Sequence, residues 1–142
     1  MRGFTTIGLC IVMTSCMNLL GPTKSVNLSV GSVRDIDGVT PYVVYVPTTY
    51  NATTALPALL LIHGAGGTGP DFILNWTDFA ESHGIILVAP TLDLSAEAEV
   101  HAPGLLRAIM DAVRAAWTVD SSRIYVFGYS GGGYFAYDAA LL

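Results

Sequence analysis

The sequence predicts an α/β domain: a largely parallel sheet with helices on both faces. Three observations predict it. Residues 57–64 (PALLLIHG), 85–90 (IILVAP) and 123–128 (RIYVFG) are apolar runs without regular polar alternation, as in strands covered on both faces. Stretches of helical period lie between and after these runs, and such alternation folds into parallel strands joined by crossover helices. Only 12% of the 142 residues are charged, while 52% are hydrophobic. An ordinary domain carries about 25% charged residues, so this chain has the means to fill one buried core.

The elements follow in order. Residues 1–20 (MRGFTTIGLCIVMTSCMNLL) carry one charge, Arg2, ahead of an apolar run, which is the form of an export signal. For a spanning helix the run is short and rich in Thr and Ser, because a span needs about twenty apolar residues. A retained membrane anchor is the alternative. Both cysteines, Cys10 and Cys16, fall in this segment, so the body of the chain has no disulfide. Met13, Thr14 and Ser15 ahead of Cys16 resemble a bacterial lipobox, and a lipid on Cys16 is the expected route to a membrane. The expected localisation is secreted or cell-envelope. Asn27, Asn51 and Asn75 stand in Asn-x-Ser/Thr triplets, which accept glycans in an exported eukaryotic protein and otherwise arise by chance.

Residues 27–34 (NLSVGSVR) alternate apolar with polar and predict a half-buried strand. Asp35, Ile36, Asp37 and Gly38 predict a turn. Residues 41–47 (PYVVYVP) predict the partner strand of an antiparallel hairpin. After the run at 57–64, residues 71–83 place Phe72, Trp76, Phe79 and Ala80 on one helical face, and Gly84 ends the helix in a left-handed conformation. An acidic loop, 91–102, follows the run at 85–90. From Pro103 a helix carries Leu106, Ile109, Met110, Val113, Ala116 and Trp117 on one face, with Arg107 set to pair with Asp111 one turn on. A last helix is expected over 131–142. The net charge is −5 and Lys24 is the single lysine, so there is no basic patch and nucleic acid is not an expected partner.

Two strand ends carry the chemistry, where ligands of such sheets bind. The first is Gly128, Tyr129, Ser130, Gly131, Gly132, a Gly-x-Ser-x-Gly pattern between a strand and a helix. A sharp turn there lifts a nucleophilic serine clear of the sheet, and its neighbours two residues away on each side must be small. Gly128 and Gly132 meet that need. Gly131 would present its N–H to a developing oxyanion, helped by the helix dipole. The second is HGAGGTG, residues 63–69, whose glycines let backbone N–H groups approach a ligand. Ala65 is the expected second oxyanion donor, with Gly66 as the alternate. No Lys-Ser/Thr pair follows these glycines, and the spacing of Gly64, Gly66 and Gly69 is not the dinucleotide pattern. Neither a metal nor an organic cofactor is expected.

With YVVYVP (42–47), LPALLLIHGAGG (56–67), GIILVAP (84–90) and VDSSRIYVFGYSGGG (119–133) in this order, the chain resembles the α/β-hydrolase superfamily. The likeness is to its secreted esterase branch of polyhydroxybutyrate depolymerases, feruloyl esterases and acetylxylan esterases. The resemblance implies strand order 1-2-4-3-5, a triad in the chain order Ser, Asp, His, and a small-molecule or polymer ester as substrate. His63, His83 and His101 all precede Ser130. His63, with Gly64, is read as the turn that shapes the oxyanion loop. His83 is read as an exposed helix end and His101 as part of a loop at the pocket mouth. Asp138 lies in the helix after Ser130 and is not read as the triad acid. The expectation is an export signal over 1–20 and a partial catalytic domain over 21–142, lacking the triad acid and histidine. The alternatives are a prolyl-oligopeptidase-type peptidase and a non-catalytic surface lipoprotein that kept the fold.

Overall fold

The computed structural model describes residues 33–36, 41–94 and 102–140. Five strands form one sheet: β1 (Val33–Ile36), β2 (Tyr42–Tyr45), β3 (Leu56–Ile62), β4 (Ile86–Pro90) and β5 (Val119–Gly128). Their order is β1-β2-β4-β3-β5, the order that the family resemblance implies. β1 and β2 pair antiparallel, and β2 pairs antiparallel with β4. β3 runs parallel to both β4 and β5. The helices are α1 (Gly69–Ile73), α2 (Thr77–His83), α3 (Ala102–Ala116) and α4 (Gly132–Ala140), with a 3₁₀ turn, Leu74–Trp76, between the first two.

Strand periodicity sorts the core into two layers. Val44, Leu60, Ile62 and Val88 face one layer with Leu106, Ile109, Met110, Val113 and Trp117 of the α3 segment and Phe135 of α4. Val43, Tyr45, Leu59, Leu61, Leu87 and Ala89 face the other with Ile73 of α1 and Ala80 of α2. The central strands are covered on both sides, so their sequences are apolar throughout.

Four local expectations are corrected. β1 reaches Ile36, so Asp35 and Ile36 are strand rather than turn, paired with Val43 and Tyr42; residues 27–32 of the predicted strand lie outside the described residues. The single helix expected over 71–83 is two helices around a 3₁₀ turn. Asn75 Nδ2 donates to the Asp71 and Phe72 carbonyls, and Thr77 Oγ1 donates to the Leu74 carbonyl, the side-chain competition that breaks helices. The tighter turn rotates α2 relative to α1. Phe79 consequently leaves the core, 39% exposed, and stacks on His83 at 4.1 Å between ring centroids. On α3 the partner of Asp111 is Arg114, at 2.7 Å, and Ala116 is exposed while Trp117 is buried.

The fourth correction concerns β5, which is half-covered rather than buried. Ile124 and Val126 pack on the core, whereas Tyr125 is 52% exposed. β5 is the edge strand, and among the described residues only β3 pairs with it. Its first half also bulges. Leu56 pairs with Val119 and Ala58 with Ile124, so residues between Val119 and Ile124 loop away from the ladder. Asp120 holds this bulge by accepting from Ser122 N, Ser122 Oγ and Arg123 Nε. Those bonds, the Ser122 hydroxyl first, pull its carboxyl down to about 2.

On the β2 side of the sheet Glu81 of α2 ties down the chain after that strand. Its carboxylate accepts from Tyr45 Oη at 2.7 Å, from Thr48 N at 2.9 Å and from Thr48 Oγ1 at 2.5 Å. The Thr48 hydroxyl first, then that of Tyr45, holds its carboxyl below the usual 4.5. A depressed carboxyl adds stability above its unfolded value and loses it as pH falls through the folded one. Glu81→Gln is therefore expected to lower the urea midpoint at neutral pH. The gap to wild type should narrow between about pH 5 and pH 3, measured as midpoints against pH. A gap that is constant over that range would dissociate the carboxylate from this role.

Candidate active site

The parallel register of β3 and β5 brings the two glycine-rich loops together. Ile62 pairs with Gly128 at the strand ends, and Tyr129 N donates to Ile62 O at 3.0 Å. The chain then turns sharply. Gly132 N bonds Tyr129 O at 2.9 Å and Gly133 N bonds Ser130 O at 2.9 Å, after which α4 begins. Ser130 sits at the apex, exposed, with φ 53. Among the described residues it is the one non-glycine with positive φ. That conformation costs of order 1 to 3 kcal/mol and persists only where the surroundings enforce it.

The enforcing contacts are backbone against backbone. A Cβ on Gly132 would overlap the His63 carbonyl oxygen and lie 2.6 Å from that of Ile62. A Cβ on Gly128 would overlap Gly132 O and lie 2.8 Å from Ala136 Cβ. These two positions admit no side chain, so β5, the turn and α4 close onto the end of β3. Gly64 lies beside the apex: a Cβ there would stand 3.0 Å from Tyr129 Cδ1 and 3.3 Å from Ser130 Cβ.

Residues 64–67 form a tight turn closed by Gly67 N to Gly64 O at 3.0 Å, with Gly66 at φ 75. A turn with positive φ at its third residue calls for glycine there. Ala65 N comes within 3.9 Å of the Cβ position of Gly131, so the two expected donors are neighbours beside Ser130. Among the described residues neither N–H has a hydrogen-bond acceptor, and the Ser130 hydroxyl has no partner. Two free N–H groups beside a raised hydroxyl are suited to an anion forming on an oxygen bonded to the atom that the serine attacks.

His63 clamps this arrangement. It is 2% exposed. Leu92 N donates to its Nε2 at 3.0 Å, which leaves the proton on Nδ1 to donate to Gly64 O at 2.7 Å. The neutral ring thus pins the loop after β3 to the segment after β4. With both nitrogens engaged, His63 has none free to serve Ser130 as a base. His83 is exposed at the end of α2, its Nδ1 3.0 Å from Phe79 O and 2.9 Å from Ser82 Oγ. His101 lies outside the described residues, and Asp138 lies in α4.

A cleft of about 370 Å³ opens between the 64–68 loop, α1 and Tyr129, the residue before Ser130. Sequence reasoning missed its walls. Phe72 and Tyr129 face each other with ring centroids 6.5 Å apart, and Asp71 and Asn75 line the rim. Tyr129 is 62% exposed, and its place inside the Gly-x-Ser-x-Gly pattern was the available signal. A larger hollow of about 560 Å³ runs along Ile124, Tyr125 and Val126 against α3. It contains none of the predicted residues and follows the open edge of β5, whereas the smaller cleft is lined by His63, Gly64, Ala65 and Gly66. Among the described residues no group of three His, Cys, Asp or Glu is arranged to hold a metal ion.

No family model matches the chain, and no curated protein matches its sequence. Solved structures do match. Acetyl xylan esterase from Aspergillus awamori aligns with a TM-score of 0.67 at 19% identity, over 78% of this chain and 47% of its own. Poly(3-hydroxybutyrate) depolymerase from Bordetella parapertussis aligns at 0.62 and 23% identity, over 74% and 45%. A ferulic acid esterase from Anaeromyces mucronatus aligns at 0.55 and 17% identity, over 78% and 53%. The chain spans about half the length of these structures. The likeness shows the fold: this is an α/β-hydrolase fold, with the Ser130 turn following the fifth strand.

Proposed function

We propose that this chain carries the nucleophile of an exported serine hydrolase acting on carboxylic esters. The observation that carries the reading is Ser130 itself, held at φ 53 at the end of a parallel strand by glycines that admit no Cβ. In this reading Ser130 Oγ attacks the ester carbonyl carbon. The oxyanion formed there takes hydrogen bonds from Ala65 N and Gly131 N, with Gly66 N as the alternate. The tetrahedral adduct expels the alcohol, and water then cleaves the acyl-serine. A histidine takes the Ser130 proton and returns it to the leaving alcohol. That histidine and its acid belong outside the described residues, because His63 and His83 are engaged elsewhere. One substituent of the ester occupies the cleft between Phe72 and Tyr129. Export rests on the apolar run of residues 1–20.

The test is covalent labelling. An alkyl fluorophosphonate is expected to modify Ser130 in the hydrolase that contains this chain, and the Ser130→Ala variant should stay unlabelled. Equal labelling of both would refute the assignment. The 142-residue chain alone is expected to show no Ser130-dependent turnover of a short-chain nitrophenyl ester, since a serine without a base is a poor nucleophile. Turnover that vanishes in Ser130→Ala would mean that the chain holds its own base, and His101 would be the residue to replace next.

A further inference from the structure

Of the three Asn-x-Ser/Thr triplets, two lie among the described residues, and their geometries differ. Asn51, Ala52 and Thr53 form an exposed turn between β2 and β3. Asn51 Oδ1 accepts from Thr53 N at 3.0 Å and from Thr53 Oγ1 at 2.6 Å. Its Nδ2 has no acceptor among the described residues. Both bonds draw electron density toward Oδ1 and so make the Nδ2 protons easier to lose. The bonds join residues two apart, so the turn can form before the sheet is assembled.

Asn75, Trp76 and Thr77 are arranged the other way. Asn75 spends its Nδ2 on the Asp71 and Phe72 carbonyls. Thr77 Oγ1 donates to Leu74 O rather than to the asparagine. Trp76 packs on Phe127 with ring centroids 4.7 Å apart. A glycan on Asn75 would replace one of the two Nδ2 protons that serve these carbonyls and would stand in the cleft that Asn75 lines.

We propose that Asn51 is an N-glycosylation acceptor and that Asn75 is not. In the transfer, Asn51 Nδ2 attacks the anomeric carbon of a lipid-pyrophosphate-linked oligosaccharide. The N–C bond forms, the bond from that carbon to the pyrophosphate oxygen breaks with its electron pair leaving on oxygen, and Nδ2 gives one proton to a base of the transferase. No oxidation is involved. The site suits a folded product. Thr118 Oγ1 holds the Ala52 carbonyl at 3.0 Å and Tyr50 Oη accepts from Thr118 N at 3.0 Å, which anchors the turn at the start of β3. Ser130 lies beyond the other end of β3, a seven-residue strand, about 20 Å away at ~3.3 Å per residue. A glycan on Asn51 therefore leaves the cleft open. The proposal shares with the reading above only the requirement that the chain enters a secretory lumen.

The test is expression of the full 142-residue chain, with Asn27→Gln to silence the third triplet, in a eukaryotic secretory host. It is run once with the chain's own residues 1–20 and once behind a host signal peptide. The readout is the mobility shift removed by peptide N-glycosidase, with the modified residue located by mass spectrometry. The shift is expected in this background, retained in Asn75→Gln and lost in Asn51→Asp, which keeps the Oδ1 acceptor of the turn. It should also be lost in Thr53→Ala and kept in Thr53→Ser. A shift lost in Asn75→Gln but kept in Asn51→Asp would overturn the proposal, as would no shift in protein shown to be lumenal. A shift seen only behind the host signal supports Asn51 while removing residues 1–20 as an export signal.

Discussion

In the proposed serine hydrolase, Ser130→Ala is expected to lower kcat by about 10⁴-fold or more, with the protein still folded. Loss of a triad nucleophile removes the covalent route and leaves only what binding and oxyanion contacts supply. The fold should tolerate the change because the serine hydroxyl has no partner among the described residues. The strain at φ 53 gives a second reading of the same position. Alanine inherits that strain, whereas glycine does not, and a left-handed residue with a Cβ costs about 1 to 2 kcal/mol. Ser130→Gly should therefore be as inactive as Ser130→Ala but measurably more stable. Wild-type-like turnover in either variant would remove Ser130 as the nucleophile. Equal denaturation midpoints for the two would remove the strain argument while leaving the kinetic one intact.

The parts of this fold that were legible are those specified by contiguous residues. The runs at 57–64 and 85–90 announced buried strands because nothing polar interrupts them, and Gly84 announced a helix end that it provides at φ 60. The pattern around Ser130 was legible for the same reason: steric crowding acts through neighbours two residues away, and both are glycine. What stayed hidden depends on distant partners. His63 acts through Leu92, 29 residues on, and no local pattern shows that a turn histidine will be locked in one tautomer by another loop. Phe79 looked like core because its spacing fits an unbroken helix, but Asn75 and Thr77 spend their side chains on helix carbonyls. The Asp120 bulge read as ordinary strand because its stabilising bonds come from Ser122 and Arg123, neither of which breaks a β pattern. The cleft walls escaped because Phe72 and Tyr129 are 57 residues apart in sequence and meet only when β3 and β5 pair in register.

The neighbouring glycines 132 and 133 should respond in opposite directions to the same substitution. At Gly132 an added methyl group would overlap the carbonyl oxygen of His63 and stand 2.6 Å from that of Ile62. Those atoms belong to the buried end of β3, and the Ile62 carbonyl also accepts from Tyr129 N, so neither can retreat without breaking the contact that aligns the two loops. Overpacking ordinarily costs about 1 to 3 kcal/mol, and backbone atoms as the obstacle place Gly132→Ala at or above the top of that range. At Gly133 the nearest atom to an added methyl is Gly128 O at 3.9 Å, an ordinary contact, and in the first turn of α4 alanine gains at most the roughly 0.5 to 1 kcal/mol that it is worth over glycine in a helix interior. Gly133→Ala should therefore raise the urea midpoint and Gly132→Ala should lower it by several times as much, with unchanged slope. In the proposed hydrolase Gly132→Ala should also lose turnover at temperatures where it is still folded, because pushing α4 off β3 would move Ser130 away from Ala65 N. Equal effects from the two substitutions would show that the turn is not packed against β3 as described, and Ser130 would lose the contacts that hold it at its apex.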